Sequence, residues 1–373
     1  MKKVLSFLLI GLLAVIVTGG FLVYQRYQKN PAQIFPYPYK FESEAQTIKP
    51  EAPILIIGDR MGAYFAKFKA ELAATISQNL AKPIKIQSLA KEGEALHRTL
   101  HQMKQVTPWP QIVIYQGASE EFMEDKFELS EVKKISKNFH RYQDERIETF
   151  LILYPWLSRI VYEPMNRTSL KPVPELNTMV EQDQYLKRLE TELLLYEQQL
   201  VQLVQISKDR NSLLVLTTTP INLDMPPKQV CSFTTTLEIE KIIFELRELL
   251  KQNNLKTAFQ KSSKAIKQYS GNALLLYILG QIARRLGNLD EGKSALLEAS
   301  AYDCRPWRAT EVYNNIIRKV ARENQVLLFD FAKLVEKGWV MDITFFDEIH
   351  PQNLYYDRGM QQLGLVIKQI LKL

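Results

Sequence analysis

The chain has 373 residues and a net charge of +7, with 46% hydrophobic and 24% charged residues. This composition excludes a disordered chain and suffices for one large core with a smaller module. The positive charge is spread along the sequence, without a basic run or an aromatic-basic recognition motif, so we expect no nucleic-acid partner. Attraction to anionic lipid or to an acidic wall polymer fits this charge equally well.

The first element is an uncharged apolar run over residues 4–24, preceded by two lysines. Its length matches a bilayer core and exceeds the usual apolar core of a signal peptide. We therefore predict a cytoplasmic N-terminus, a single transmembrane anchor within residues 1–29 and an exported, periplasmic or extracellular body, with cleavage after Gly19 as the alternative. The proline-containing residues 30–52 are interpreted as an extended spacer.

A buried strand and its exit turn come next, from Pro53 to Gly62. Four aliphatic residues before Gly58 predict a strand that is buried on both faces, and Met61 to Leu80 has helical spacing. In an open α/β sheet, ligands and catalytic groups collect at such a strand end, because backbone N–H groups and a helix N-terminus converge there. The turn itself carries Asp59 and Arg60.

Four more strands are predicted from apolar runs, at Pro83–Ser88, Gln111–Tyr115, Ser212–Leu216 and Gln325–Asp330. Helical segments separate them, which favours an α/β fold with a flavodoxin-like, parallel, five-stranded sheet built from residues 53–231 and 305–373. Asp330 ends the last strand and is interpreted either as a helix cap or as a second acid.

The strand ends carry short motifs that resemble those of the SGNH (GDSL-type) hydrolase family. That family has a Gly-Asp-Ser turn, a glycine after the second strand, a Gly-x-Asn-Asp and an Asp-x-x-His before the last helix. The matching residues here are Gly58, Asp59 and Arg60, then Gly93, then Gly117, Ser119 and Glu120, and finally Asp347 and His350. The order of the motifs along the predicted strands strengthens the resemblance beyond that of any single one.

Three positions depart from the family pattern, since Glu120 stands where the last motif residue is aspartate and two catalytic positions also differ. Arg60 stands where the resemblance implies the nucleophilic serine, and Ser119 stands where it implies the oxyanion-hole asparagine. The resemblance implies that His350 acts as base and that Asp347 orients it. A guanidinium can neither be acylated nor act as a base, so serine chemistry at Arg60 is excluded.

We therefore predict a membrane-anchored envelope protein with a hydrolase-like domain that binds a ligand or serves as a scaffold. The predicted pocket consists of Asp59, Arg60, Gly93, Gly117, Ser119 and Glu120. Arg60 either binds an anion, as an acidic or acylated glycan would supply, or forms an ion pair with Asp347 or Glu120. The alternative is an active esterase or acyltransferase on acylated polysaccharide or peptidoglycan, using His350 and Asp347 with a substituted nucleophile or an activated water.

Two helical insertions interrupt the predicted sheet. The first, over about 128–210, contains a long helix from about 176 to 209 with an apolar seam. Its partner is expected within the chain, at 131–142 or 145–162, or in a second copy. The second, over 232–304, has a 34-residue repeat in which Asn253-Asn-Leu255 recurs as Gly287-Asn-Leu289. This is the tetratricopeptide period, which indicates either a protein-binding surface, such as that of an assembly adaptor, or a structural prop.

Cys231 and Cys304 flank the second insertion. An inserted module leaves and rejoins its host at nearby points, so an exported chain can form a disulfide here, with free buried thiols as the alternative. His97 and His101 share a predicted helical face, but the sequence offers no third metal ligand. No cofactor and no metal site are expected.

Overall fold

A computed structural model of the chain describes residues 47–78, 80–121, 126–142, 182–231, 234–304, 307–339 and 344–372, with scattered residues in 11–22 and 144–161. The chain divides into two compact units, residues 1–43 with 127–169, and residues 44–126 with 170–373. The predicted anchor lies largely outside the described residues. Within the part of the chain that is described, no helix has the length and hydrophobicity needed to cross a bilayer.

The second unit contains the sheet. Its strands are β1 (Ile54–Gly58), β2 (Ile86–Ser88), β3 (Ile112–Gln116), β4 (Leu213–Thr217) and β5 (Leu327–Phe329). All neighbours are parallel, in the order 2-1-3-4-5, which is the flavodoxin-like order, and this confirms the predicted α/β sheet. The order reverses at β1, so the carboxyl ends of β1 and β3 flank the crevice where such sheets bind ligands.

The helices of this unit, in chain order, are α1 (Arg60–Phe65), α2 (Lys69–Ser77), α3 (Leu96–Met103), α5 (Gln182–Asp209), α6 (Leu237–Lys251), α7 (Leu255–Gln268), α8 (Ala273–Arg285), α9 (Leu289–Ala301), α10 (Glu311–Asn324), α11 (Phe331–Glu336) and α12 (Asn353–Leu371). The helix α4 (Val132–Tyr142) belongs to the first unit.

Helices cover both faces of the sheet. Leu55 and Ile57 of β1 face a core with α3, α5 and α10, whereas Ile54 and Ile56 face a core with α1, α2 and α12. All four side chains are at most 1% exposed, as the continuous aliphatic run predicts. The turn at the end of β1 therefore follows a strand that is packed on both faces.

The segment after β1 is not the single helix that the spacing of Met61 to Leu80 predicts. A 3₁₀ turn over Ala66–Phe68 separates α1 from α2. The tighter turn lets the Phe68 ring stack on Tyr356 of α12 at a centroid distance of 4.7 Å, while Phe65 and Leu72 stay in the core. Aromatic packing thus overrides helical continuity.

The body also begins earlier than the predicted boundary at residue 53. Ile48 forms a parallel bridge with Val106, and its backbone exchanges hydrogen bonds with Gln105 and Thr107 at 3.0 and 2.8 Å. The last residues of the predicted spacer therefore belong to the folded unit.

The apolar seam of α5 packs within the chain. Tyr196, Leu200 and Leu203 are completely buried in the core that the sheet shares with Tyr313 and Ile317 of α10. The partner of the α5 seam is therefore intramolecular, as predicted. It consists of the sheet and α10. Residues 176–181 of the predicted helix lie outside the described residues.

The first unit is described only in part. Its helix α4 follows a 3₁₀ turn at Leu129–Glu131, and Leu151 forms a small core with Ile147, Leu157 and Val161. The predicted insertion at about 128–210 therefore contributes to both units.

Four helices, α6 to α9, form two helical hairpins in the second insertion. Their turns repeat: Asn253 and Gly287 have φ of 56° and 83°, and the next N–H in each turn bonds back to Leu249 and Ala283 at 2.9 Å. The 34-residue repeat is therefore visible in the backbone. Small residues let α8 and α9 approach closely, because a Cβ on Gly280 would lie 2.5 Å from Leu296.

The two ends of this module are joined. Cys231 and Cys304 form a disulfide with a Cα–Cα distance of 5.2 Å, so the alternative of free thiols is wrong. Asp303 adds two hydrogen bonds, accepting the backbone N–H groups of Lys228 and Gln229 at 2.8 and 3.0 Å. The module leaves and rejoins its host at one point, as predicted.

Candidate functional site

A cleft of about 530 Å³ lies between α1 and the loop that precedes α12. The lining residues are Arg60, Ala63, Tyr64, Lys67, Glu92, Phe346, Asp347, Glu348, Ile349 and His350. Arg60 is far from Asp347 and His350 in the sequence, because β2 to β5 lie between them. The structure brings the three residues together in one cleft. The other predicted pocket residues are not in this lining set.

Asp347 and His350 form a hydrogen-bonded pair. The ring Nδ1 of His350 lies 2.7 Å from Asp347 Oδ2, and Asp347 Oδ1 accepts the backbone N–H groups of Ile349 and His350 at 2.8 and 2.6 Å. Desolvation raises the pKa of Asp347, but the hydrogen bonds from His350 and Ile349 outweigh it, so its pKa lies below the usual value. The side chain of Asn222 holds the same loop by donating to the Asp347 carbonyl at 3.0 Å.

The second ring nitrogen of His350, Nε2, is buried and has no hydrogen-bond partner among the residues that the structure describes. With the proton on Nδ1 directed at Asp347, Nε2 is left as an acceptor, which is the form a general base needs. The ring is packed between aromatic neighbours, with centroid distances of 4.3 Å to Tyr64 and 5.8 Å to Phe346.

Arg60 is bound by an acid on the neighbouring turn. Its backbone N–H donates to Glu120 Oε2 at 3.0 Å, and its guanidinium Nη2 lies 3.2 Å from Glu120 Oε1. Glu120 is 2% exposed and also accepts the Gly93 N–H at 2.7 Å. Burial raises the pKa of Glu120, and the bonds from Arg60 and Gly93 offset only part of that rise. Of the two ion pairs considered for Arg60, the structure contains the one with Glu120.

Asp59 also joins the turn after β1 to the turn after β3, through hydrogen bonds of its carboxylate. Its Oδ1 caps α1 by accepting the Met61 N–H at 2.9 Å. Its Oδ2 accepts the Ser119 N–H and hydroxyl at 2.6 and 2.8 Å, and the Glu120 N–H at 3.1 Å. Burial, followed by the charge of Glu120, raises the pKa of Asp59 to about 7. The Ser119 hydroxyl therefore donates to Asp59, and Ser119 is not among the residues that line the cleft.

Backbone geometry at these turns needs small residues. Gly58 has φ of 134°, and a Cβ there would lie only 1.8 Å from the Gln116 carbonyl oxygen of β3. Ala118 has φ of 79°, a left-handed conformation that is strained for a residue with a Cβ. Together these conformations aim the N–H groups of Ser119 and Glu120 at Asp59.

Other sequence candidates lie elsewhere. Asp330 caps α11 and forms two hydrogen bonds with the Arg318 guanidinium at 2.9 and 3.1 Å, so it is a cap and not a second acid. His97 and His101 lie on α3, outside the cleft. No group of three or more metal-binding side chains occurs within the described ranges.

The sequence interpretation missed Tyr64, Lys67, Glu92 and Phe346. A signal for two of them was present, because Arg60, Tyr64 and Lys67 follow helical spacing and share one face. Phe346 directly precedes the Asp-x-x-His motif. Glu92 came to the cleft through the loop after β2, and no pattern in the sequence indicated it.

No protein-family model and no curated protein matches this chain. Three solved structures are similar to it along most of both chains. One, assigned as an acylhydrolase from Bacteroides fragilis, is 10% identical, covers 93% of this chain and 96% of its own, and has a TM-score of 0.34. A GDSL-like lipase from Bacteroides thetaiotaomicron is 9% identical, with coverage of 93% and 98% and a TM-score of 0.33.

The third is an alpha/beta hydrolase enzyme from the metagenome of Lake Arreo, Spain, which is 12% identical, with coverage of 87% and 98% and a TM-score of 0.35. The descriptions of these proteins include the class that the sequence motifs resemble. The α/β fold follows from the strand order and the register of the sheet.

Proposed function

We propose that this chain is a membrane-anchored protein of the cell envelope whose hydrolase-like cleft binds a ligand without serine chemistry. The observation that carries the proposal is the ion pair of Arg60 with buried Glu120, at the position where the resemblance implies a nucleophile. Within the described lining of the cleft there is no serine, threonine or cysteine. This lining supports binding over acyl-enzyme chemistry of the serine-hydrolase kind.

The ligand that fits this cleft best is an acidic or acylated glycan. Tyr64 and Phe346 line it with aromatic rings, against which the apolar face of a sugar can pack, and charged side chains surround them. Export is supported by the disulfide between Cys231 and Cys304, since disulfides persist in oxidising compartments. Membrane attachment rests on the apolar run at residues 4–24.

A second candidate, hydrolysis or acyl transfer with an activated water, is favoured by one observation. His350 Nε2 has no partner among the described residues, and Asp347 holds the ring in the orientation of a general base. In this candidate His350 removes a proton from water, and the resulting hydroxide attacks the acyl carbonyl of an acylated polysaccharide or peptidoglycan. The acyl C–O bond then breaks, the acyl group leaves as a carboxylic acid, and the sugar oxygen takes the proton from His350.

One experiment separates the two candidates. The full-length protein in detergent is incubated with p-nitrophenyl acetate and with a fluorophosphonate probe, beside a His350→Ala variant as the matched control. We expect neither labelling nor hydrolysis above the control, because the described lining of the cleft holds no serine, threonine or cysteine. Hydrolysis that is lost in His350→Ala without fluorophosphonate labelling would replace the binding proposal by the water mechanism. Labelling of the wild type would contradict both.

A protein partner for the helical module stays a prediction. Its support is that Leu237 and Phe244 of α6 are 86% and 64% exposed and lie two helical turns apart on one face.

A further inference from the structure

The charges around the cleft are mostly compensated. Arg60 is paired with Glu120 and lies 3.9 Å from Glu92. Glu348 is bound by Lys228 at 3.1 Å. Asp347 is engaged by His350 and by backbone N–H groups. Each of these groups would have to give up a partner before it could bind a charged ligand.

Lys67 is the exception. Its Nζ lies 4.2 Å from the centroid of the Tyr64 ring, and among the described residues no carboxylate lies within ion-pair distance of it. The side chain is exposed at the cleft. A cation held over an aromatic ring keeps its charge available, because the ring attracts it without neutralising it.

Lys67 lies seven residues beyond Arg60, at the other end of the cleft wall from the ion pair of Arg60 with Glu120. Arg60, Tyr64 and Lys67 follow one another at spacings of four and three residues, so they line one wall of the cleft in that order. The segment from Arg60 to Lys67 runs through α1 into the 3₁₀ turn, and seven residues of helical rise extend about 10 Å. An anion at Lys67 is therefore displaced from Glu120, which would repel it near Arg60.

We propose that the cleft binds an anionic sugar and that Lys67, and not Arg60, binds its acid group, with the sugar ring against Tyr64 and Phe346. This inference rests on the proposed function in taking a glycan as the ligand, and it assigns the charge of that glycan and the side chain that recognises it. Carboxylate and phosphate share the chemistry that an ammonium group selects, because both are compact anions with hydrogen-bond acceptors. Phe346 is 48% exposed and offers its ring to the ligand.

The test is a titration of the full-length protein in detergent by calorimetry. The probes are trigalacturonic acid, glucose 6-phosphate and the neutral cellotriose. We expect wild-type protein to bind at least one anionic probe more tightly than cellotriose, with an affinity that falls as salt is added. Lys67→Met should weaken that binding by about fivefold, the size expected for one partly exposed ion pair. Lys67→Arg should restore it.

Lys69→Met is the matched control, because Lys69 is also exposed on the next turn but does not line the cleft. It should leave the affinity unchanged. Unchanged binding of the acidic probe by Lys67→Met overturns the role of Lys67 and leaves the glycan proposal standing. Equal binding of acidic and neutral probes overturns the anionic character of the ligand. A wild-type protein that binds none of the three sugars overturns the glycan proposal itself, and this inference with it.

Discussion

Asp59 and Arg60 are neighbours that both fasten the turn after β1 to the turn after β3. Asp59 accepts hydrogen bonds from Ser119 and Glu120, and Arg60 returns an ion pair to Glu120. Asp59 and Glu120 are almost completely buried, so each carboxylate depends on these partners for its hydrogen bonds. The residue at the position that the resemblance assigns to a nucleophile is therefore engaged in joining these two turns.

The raised pKa of Asp59 predicts a pH-dependent stability. Burial, followed by the charge of Glu120, moves this pKa from 3.8 to about 7. Between about pH 4 and pH 7 the unfolded chain has lost a proton that the folded protein keeps, so the free energy of unfolding falls as pH rises. The loss is on the order of 4 kcal/mol across the window and stops above it. Asp347, whose pKa is lowered, acts in the opposite direction and only at lower pH.

Urea denaturation at pH 5 and at pH 7.5 measures this loss. Asp59→Asn removes this titrating group and should reduce the difference, while Glu120, whose pKa burial also raises, keeps part of it. The variant should also be less stable at pH 5, by about 1–3 kcal/mol, because its amide NH₂ would face the N–H groups of Ser119 and Glu120. An unchanged pH dependence in the variant would assign the titration to another group.

The helical module is joined to the rest of the second unit at both of its ends, through the disulfide, and along α8 and α9. Leu296 of α9 packs with Ile221, Leu223 and Trp339, and Tyr277 of α8 donates to the Asp224 carbonyl at 2.7 Å. The same segment carries Asn222, which holds the Asp347 carbonyl. The segment from 221 to 231 therefore contacts both the module and the loop of His350.

Removing the disulfide should destabilise this element. The bond closes a loop of 73 residues, so on the chain-entropy model Cys231→Ser with Cys304→Ser lowers the free energy of unfolding by about 4 kcal/mol. Thermal unfolding of the double variant measures the effect. Wild-type protein treated with a reductant is the control and should match the variant. Identical melting of oxidised wild type and double variant would show that the module holds its ends together without the bond.

The architecture of the molecule was largely predictable. Buried aliphatic runs such as Ile54–Ile57 have few other structures available, and their alternation with helical segments fixes a parallel sheet. The 34-residue repeat likewise predicted two helical hairpins, because equal turns recur at Asn253 and Gly287. The break between α1 and α2 was not predictable, since it depends on Tyr356, far along the chain.

The site was predictable only where a motif is local. Asp347 and His350 are three residues apart, so their pairing follows from one turn. The choice of Glu120 as the partner of Arg60 depends on how two strand ends meet, which the sequence does not specify. The same holds for Tyr64 against His350, where residues from opposite ends of the chain are in contact.

The proposal as a whole requires an attached protein. Residues 4–24 are long enough to span a bilayer, so we expect the intact chain to stay with the membrane fraction after extraction with high salt or carbonate and to be released by detergent. A shortened chain beginning at residue 47 is the matched control and should be recovered in the soluble fraction. Release of the intact protein by carbonate would contradict the anchor.

The bridge between Ile48 and Val106 decides how the folded body responds to tension. A force applied through the residues before Ile48 acts first on the two backbone hydrogen bonds that Ile48 forms with Gln105 and Thr107. Only when these fail does the force reach β1, which is clamped between β2 and β3 and resists in shear. We therefore expect Ile48 to detach first under load, which lengthens the segment before β1 while the strand that leads into the cleft stays in place.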